Sequence, residues 1–236
     1  MKKFYFLLLA AVFAIGANAS AQVTSVTSDC STEYYYVGYN IVSVKWNIGQ
    51  RYMEELFPLN SGITAGYNKR MGLNVSSFPL YVDYGANFSY MFGSSEYTEE
   101  DDYYEIDYKY KNSVNVASIN VPVAVTTPFQ VDKFVVLPYV GLNARLNLFG
   151  KRTESYQVRG DGETYEETES INLFDDDDMD DYPVKRLQVG LNLGVNVQFD
   201  NYTVGIGYIK DFASAYDGEL ESGTFGAVNI SVGYKF

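Results

Sequence analysis

From residue 187 to residue 199 every second residue is apolar, and every residue between is small or an amide. Leu187, Val189, Leu191, Leu193, Val195, Val197 and Phe199 alternate with Gln188, Gly190, Asn192, Gly194, Asn196 and Gln198. A period of two puts one set on each face of an extended strand. The run exceeds the roughly 9 to 11 residues a tilted strand needs to cross a bilayer. Asp200 and Asn201 then read as a two-residue turn, and Tyr202, Val204, Ile206 and Tyr208 resume the alternation against Thr203, Gly205 and Gly207. The two runs predict a tight hairpin.

The pattern recurs in three further runs. Leu80, Val82, Tyr84, Ala86, Phe88 and Tyr90 oppose Asp83, Gly85, Asn87 and Ser89; Phe134 to Leu148 opposes Tyr139, Gly141, Asn143, Arg145 and Asn147; Val228 to Phe236 opposes Ala227, Asn229, Ser231, Gly233 and Lys235. Three less regular stretches, Tyr34 to Val44, Gly62 to Leu73 and Val114 to Thr126, complete a count of eight. In the last, the apolar phase changes between Val116 and Ile119, which a β-bulge near Ala117 and Ser118 explains. Pro122 and Pro138 fall inside strands, where proline normally breaks the ladder.

The connections alternate in length. Those near residues 73–79, 127–133 and 200–201 are short, and those near 45–61, 93–112, 150–184 and 212–222 are longer. That is the order of periplasmic turns and external loops in a membrane barrel with both termini on the periplasmic side. The expected fold is all-β, an eight-stranded antiparallel up-and-down transmembrane β-barrel.

Alternation alone also fits a soluble, lipocalin-like periplasmic barrel with an apolar ligand inside. The polar rows decide between the two. They carry glycine, asparagine, glutamine and serine rather than the lysine and glutamate of a solvated sheet, so they suit a narrow, side-chain-filled lumen. The apolar rows are then expected to face lipid. Aromatics gather near strand ends, Phe134, Phe199, Tyr202, Tyr234 and Phe236 at one rim and Tyr90, Phe92, Phe149 and Tyr208 at the other, as in the girdles of membrane interfaces.

Lys2 and Lys3, an apolar run from Phe4 to Ile15 and small residues at Ala17, Ala19 and Ala21 read as a removable secretory signal over residues 1–21, cleaved after Ala19 or Ala21. Residues 22–32 form a short N-terminal segment, and 33–236 a single barrel domain, a size one all-β domain reaches undivided. Cys30 is the sole cysteine and can make no internal disulfide.

The signal, the stretch Ile119 to Val125 (INVPVAV) preceding Tyr139 to Leu142 (YVGL), and the ending NISVGYKF at Phe236 resemble the outer-membrane β-barrel proteins of Bacteroidetes described as porin-family or PorT-like, similar in architecture to small OmpA/OmpX-type barrels. The resemblance covers residues 33 to 236. It implies residence in the outer-membrane lipid and recognition of the last strand by the barrel-assembly machinery, with Tyr234 and Phe236 as the matching assembly-signal positions. No common ligand or reaction is implied.

Charge is concentrated in two of the long connections. Residues 93–112 hold seven acidic and two basic side chains and residues 150–184 twelve and three, in a chain of net charge −13. Nucleic-acid binding is therefore excluded as a class. The block Asp175, Asp176, Asp177, Asp178, Asp180 and Asp181 is a calcium candidate without the glycine and spaced ligands of a recognised calcium loop, so a plain solvated run is the alternative. Tyr97, Tyr103, Tyr104, Tyr108 and Tyr110 fit either a contact surface or an extension of two strands beyond the membrane. Asp83, Arg145, Arg70 and Lys235 are the expected charged residues of the lumen, with facing parity suggesting an Asp83–Arg145 pair. No histidine is present; together with the absence of nucleophile, zinc and phosphate-loop motifs this leaves no catalytic or cofactor site to nominate. The expected role is a non-enzymatic outer-membrane protein that stabilises the envelope or presents acidic loops for adhesion or binding. A narrow porin-like channel is the alternative.

Overall fold

A computed structural model describes residues 30–47, 54–55, 57–73, 79–101, 106–160, 163–174, 184–215 and 223–236. It contains ten strand segments: β1 (Thr32–Trp46), β2 (Ser61–Leu73), β3 (Leu80–Asp101), β4 (Ile106–Thr126), β5 (Phe129–Val131), β6 (Phe134–Gly160), β7 (Glu163–Asn172), β8 (Leu187–Phe199), β9 (Tyr202–Asp211) and β10 (Gly223–Lys235). Eight of them form a closed antiparallel ring in the order β1, β2, β3, β4, β6, β8, β9, β10. β10 returns to β1 from Tyr34↔Lys235 to Trp46↔Gly223 and shuts it. The expected eight-stranded barrel is the observed fold. β5 only widens the turn before β6, and β7 pairs β6 outside the ring. Residues 1–29, which include the proposed signal, lie outside the described residues.

The faces sort as the alternation requires. Leu187 is 65% exposed and its neighbour Gln188 2%. The same holds around the ring: Val37, Ile41, Ile63, Phe88, Val140, Leu142, Val204 and Val232 form an exposed apolar belt, while Arg70, Asn120, Asn143, Arg145 and Thr203 are buried inside. A soluble barrel with an apolar interior would have the reverse arrangement. Exposed aromatics edge the belt at the turn end, where Phe134 meets Phe199 at 5.3 Å, Tyr202 meets Tyr234 at 5.5 Å and Phe236 meets Tyr35 at 4.9 Å between ring centroids. At this end Asp132 and Asp200 adopt φ of 54° and 52°, the left-handed region that aspartate tolerates better than most residues in a tight turn.

Three details depart from expectation. The register between β4 and β6 does shift between Ala117 and Ser118, but β4 itself alternates inward at every even residue from Asn112 to Thr126. The extra residue is Leu148 of β6: Ala117 pairs Phe149 and Ser118 pairs Asn147, and Leu148 and Phe149 are both exposed. The apolar phase change in β4 therefore comes from a change in what fills the lumen, since Val114 and Val116 point inward at 0% and 4% exposure. Pro122 sits in the ring opposite Asn143. The ladder to β3 is interrupted beside it, between Tyr84↔Val123 and Asn87↔Asn120, as a residue with no N–H to donate requires. Residues 93–112 and 150–172 are largely strand rather than loop: β3 and β4 stay paired out to Asp101↔Ile106, β4 and β6 to Asp107↔Arg159, and β6 and β7 to Gly160↔Glu163.

The interior changes character along the barrel. Near the turn end it is polar. Near the opposite end, the hairpin end, where β3 and β4 stay paired out to Asp101↔Ile106, an apolar plug fills it, made of Val42, Val44 and Trp46 from β1, Val114 and Val116 from β4, Phe225 from β10, and Phe57, Leu173, Val184 and Ala215 from the connections. These connections are tied to the rim and to one another by backbone bonds, Val42 N to Asn60 O at 2.9 Å, Val184 N to Leu173 O at 2.8 Å and Ala215 N to Gly223 O at 2.7 Å. Each apolar side chain taken from water here contributes about 1.5–3 kcal/mol.

Candidate functional site in the lumen and the projecting strands

Two ion pairs anchor the lumen at different depths. Arg70 and Asp83 are direct partners in the β2–β3 register, and the guanidinium donates to both carboxylate oxygens, Nε to Oδ1 at 2.7 Å and Nη2 to Oδ2 at 2.8 Å. Both side chains are inside the wall, so neither charge can be left alone without a large desolvation cost. Arg145 donates Nη2 to Asp211 Oδ2 at 2.5 Å, reaching from β6 past β8 to β9, and its guanidinium carbon lies 3.7 Å from the Phe225 ring centre. The aromatic face adds a cation–π contact where the polar lumen meets the apolar plug.

The suggested Asp83–Arg145 pair is thus incorrect, because parity reports only which face a residue occupies. β2 is adjacent to β3, so Arg70 stands in the same row as Asp83, whereas β6 is two strands away. Asp211 was not singled out from the sequence, although continuing the inward row Thr203, Gly205, Gly207 by two steps arrives at it. Lys235 is half-buried, opposite Tyr34 in the register at the turn-end mouth. Asp175, Asp176, Asp177, Asp178, Asp180 and Asp181 lie outside the described residues. Tyr234 and Phe236 are exposed at the β1–β10 seam.

Between the ion pairs runs a network of amides and hydroxyls. Asn120 Nδ2 donates to Asn87 Oδ1 at 2.9 Å and Ser89 Oγ at 3.0 Å, Ser118 Oγ to Asn147 Oδ1 at 3.1 Å, and Asn229 Nδ2 to Asn40 Oδ1 at 2.8 Å. The Tyr139 hydroxyl reaches over β8 and β9: a Cβ added to Gly194 or Gly207 would meet its phenol oxygen at 2.5 Å or 2.2 Å. Glycine is required at both places for the ring to fit. The polar cavity that remains has a volume of about 90 Å³.

Beyond the ring, β3, β4, β6 and β7 continue as a four-stranded sheet, about 30 Å long at about 3.3 Å per residue. On the face that continues the lumen, Tyr97 stacks on Tyr110 at 4.7 Å and 13°, and Tyr110 meets Tyr156 at 4.9 Å with the rings tilted by 40°, with Glu167 opposite Tyr156 in the register. Glu99, Tyr108, Val158 and Tyr165 occupy the next row out. Desolvation and the neighbouring Tyr110 push the Tyr156 phenol up, and its hydrogen bond to Glu167 pushes Tyr165 up. Tyr156 and Tyr165 therefore stay neutral donors at physiological pH. Of the five tyrosines named in this region, Tyr103 and Tyr104 lie outside the described residues.

A ring closed on itself, an apolar exterior and a polar interior meet the conditions for a strand-built membrane span, in which no backbone edge is left to hydrocarbon. A family model for the outer membrane protein beta-barrel domain matches residues 12–211. The chain belongs to this outer-membrane β-barrel family. Solved structures similar to this family member include Neisserial surface protein A, at 12% identity over 86% of this chain and 97% of that one with a TM-score of 0.35. They also include Ail, the attachment invasion locus protein of Yersinia pestis, at 16% identity over 87% and 99% with a TM-score of 0.29. The outer membrane enzyme PagL is similar at 13% identity over 85% and 99%, with a TM-score of 0.41. No curated protein sequence matches the chain.

Proposed function

We propose that this outer-membrane barrel is a non-enzymatic anchor that displays its projecting four-stranded sheet outside the cell as an adhesion or binding surface. The observation that carries the reading is the continuation of β3, β4, β6 and β7 as a paired ladder beyond a plugged ring. A barrel used for passage needs a lumen; this one keeps about 90 Å³ and spends its longest strands on an exterior structure. The tyrosine rows bordered by Glu99 and Glu167 offer rigid amphipathic area with carboxylates at its edge, which suits a cationic or hydrogen-bonding partner. Absence of histidine from the chain removes the usual general base and supports the non-enzymatic reading. The INVPVAV and YVGL stretches, which pair with each other in β4 and β6, are the basis for assigning it to the Bacteroidetes porin-like group.

An epitope inserted between Gly160 and Glu163 tests display. Antibody labelling of intact cells is expected; labelling only after permeabilisation would reverse the orientation. Planar-bilayer recording of the refolded protein tests the plug: a flat baseline is expected, and reproducible unitary steps would replace the anchor reading with a channel.

A further inference from the structure

The apolar belt ends, on the hairpin side, in an unusual patch shared by β1, β10 and β9. Ser43, Gly226 and Lys210 form one outward row across the three strands, Thr224 and Lys45 the row above, and Ile41, Val228 and Tyr208 the row below. Gly226 presents no side chain. In its place two hydroxyls converge, since a Cβ there would lie 3.3 Å from Tyr208 Oη and 3.6 Å from Ser43 Oγ. Lys210 is directly opposite Gly226, about 5 Å away, and Lys45 stands diagonally from it at about 7–8 Å, both with exposed stems long enough to lean over the glycine.

Two other lysines of the barrel are neutralised by the chain itself. Lys69 pairs with Glu33 at 2.7 Å and Lys109 with Glu96 at 2.9 Å. Among the described residues, Lys45 and Lys210 enter no ion pair. In a chain of net charge −13, two uncompensated ammonium groups beside two hydroxyls mark a place built for an anion from outside. The rows beneath descend through Ile230 to Val232 and Val37, into a lipid-facing depression of about 490 Å³ lined also by Ile63, Ala65 and Phe88.

We propose that this patch holds a phosphate-bearing lipid of the leaflet at the hairpin end. Lys45 and Lys210 bind the phosphate, Tyr208 and Ser43 donate hydrogen bonds to it, and an acyl chain lies in the depression below. Charge-assisted bonds to phosphate at a membrane surface are the strong kind, and the apolar row fixes the chain in the same register. The inference rests on the barrel's place in the membrane and is independent of which side the projecting sheet faces.

Native mass spectrometry of the refolded protein, titrated with dioleoyl phosphatidylglycerol or dioleoyl phosphatidylcholine in detergent, tests it. One tightly retained phosphatidylglycerol is expected, with at least about tenfold preference over phosphatidylcholine. The K45Q/K210Q double variant should lose that preference, K45R/K210R should keep it, and Y208F should weaken it several-fold; each protein is first shown to keep its heat-modifiable band. K133Q, at the turn end, should bind as the parent does. Equal retention of phosphatidylglycerol by K45Q/K210Q overturns the proposal. Displacement of the lipid by inorganic phosphate at the same concentration also overturns it, by assigning the patch to a free anion.

Discussion

The two ends of the lumen solve the same packing problem by opposite chemistry. At the turn end the inward residues are Arg70, Asp83, Asn87, Asn120 and Asn143, and their order comes from directional bonds at 2.7–3.4 Å between named atoms. At the hairpin end the inward residues are Val44, Val114, Val116 and Phe225, joined by Phe57 and Leu173 from the connections. Loss of one partner in the first region strands a charge or an amide inside the wall. In the second it leaves a void that neighbours can partly fill. The polar half is therefore brittle and specific, and the apolar half compliant.

Three substitutions sharpen the contrast. The largest effect is expected from Asp83→Ala, which leaves Arg70 buried without its carboxylate. It should cost about 3–5 kcal/mol in urea unfolding from lipid vesicles, and Arg70→Met with Asp83→Leu should recover most of the loss. A double variant as unstable as the single one would show that packing rather than charge isolation sets the cost. Next comes Leu173→Ala in the plug, at about 2–4 kcal/mol. Trp46 is the sole tryptophan of the chain and lies 5.7 Å from Phe57, so its emission should move to longer wavelength and become quenchable by acrylamide while the heat-modifiable band persists. An unchanged spectrum would mean that the connections do not seal the plug. The smallest effect is expected from Glu96→Gln, which breaks the exposed pair with Lys109 on the projecting sheet and should cost less than about 1 kcal/mol, measurable in low salt and absent in high salt.

What could be read from the residues follows the same division. The lipid-facing rows were legible because hydrocarbon demands an unbroken apolar alternation, as from Leu187 to Phe199. The inward face obeys no such single demand. Val114 and Val116 looked like a slipped phase because the interior was expected to be polar throughout, when in fact the filling changes while the register does not. Leu148, the residue actually inserted, stood in a run whose apolar character hid the bulge. Partner choice in the lumen was illegible for another reason: parity places Asp83, Arg70 and Arg145 on one face, but only strand adjacency decides that Arg70 takes Asp83 and leaves Arg145 to Asp211. The tyrosine row was visible as composition, and whether it was loop or ladder depended on pairings between strands distant along the chain.

The seam between β1 and β10 carries a temporal consequence. Its side-chain tie, Asn229 to Asn40, joins residues 189 apart, so no cylinder exists until the final strand is in hand. Every earlier stage exposes two unpaired edges and pays the largest loop-closure entropy last. Such a chain gains little from early local success and is exposed to sticking at its edges meanwhile. Insertion in a living cell then becomes a question of who shelters β1 while the remaining strands arrive.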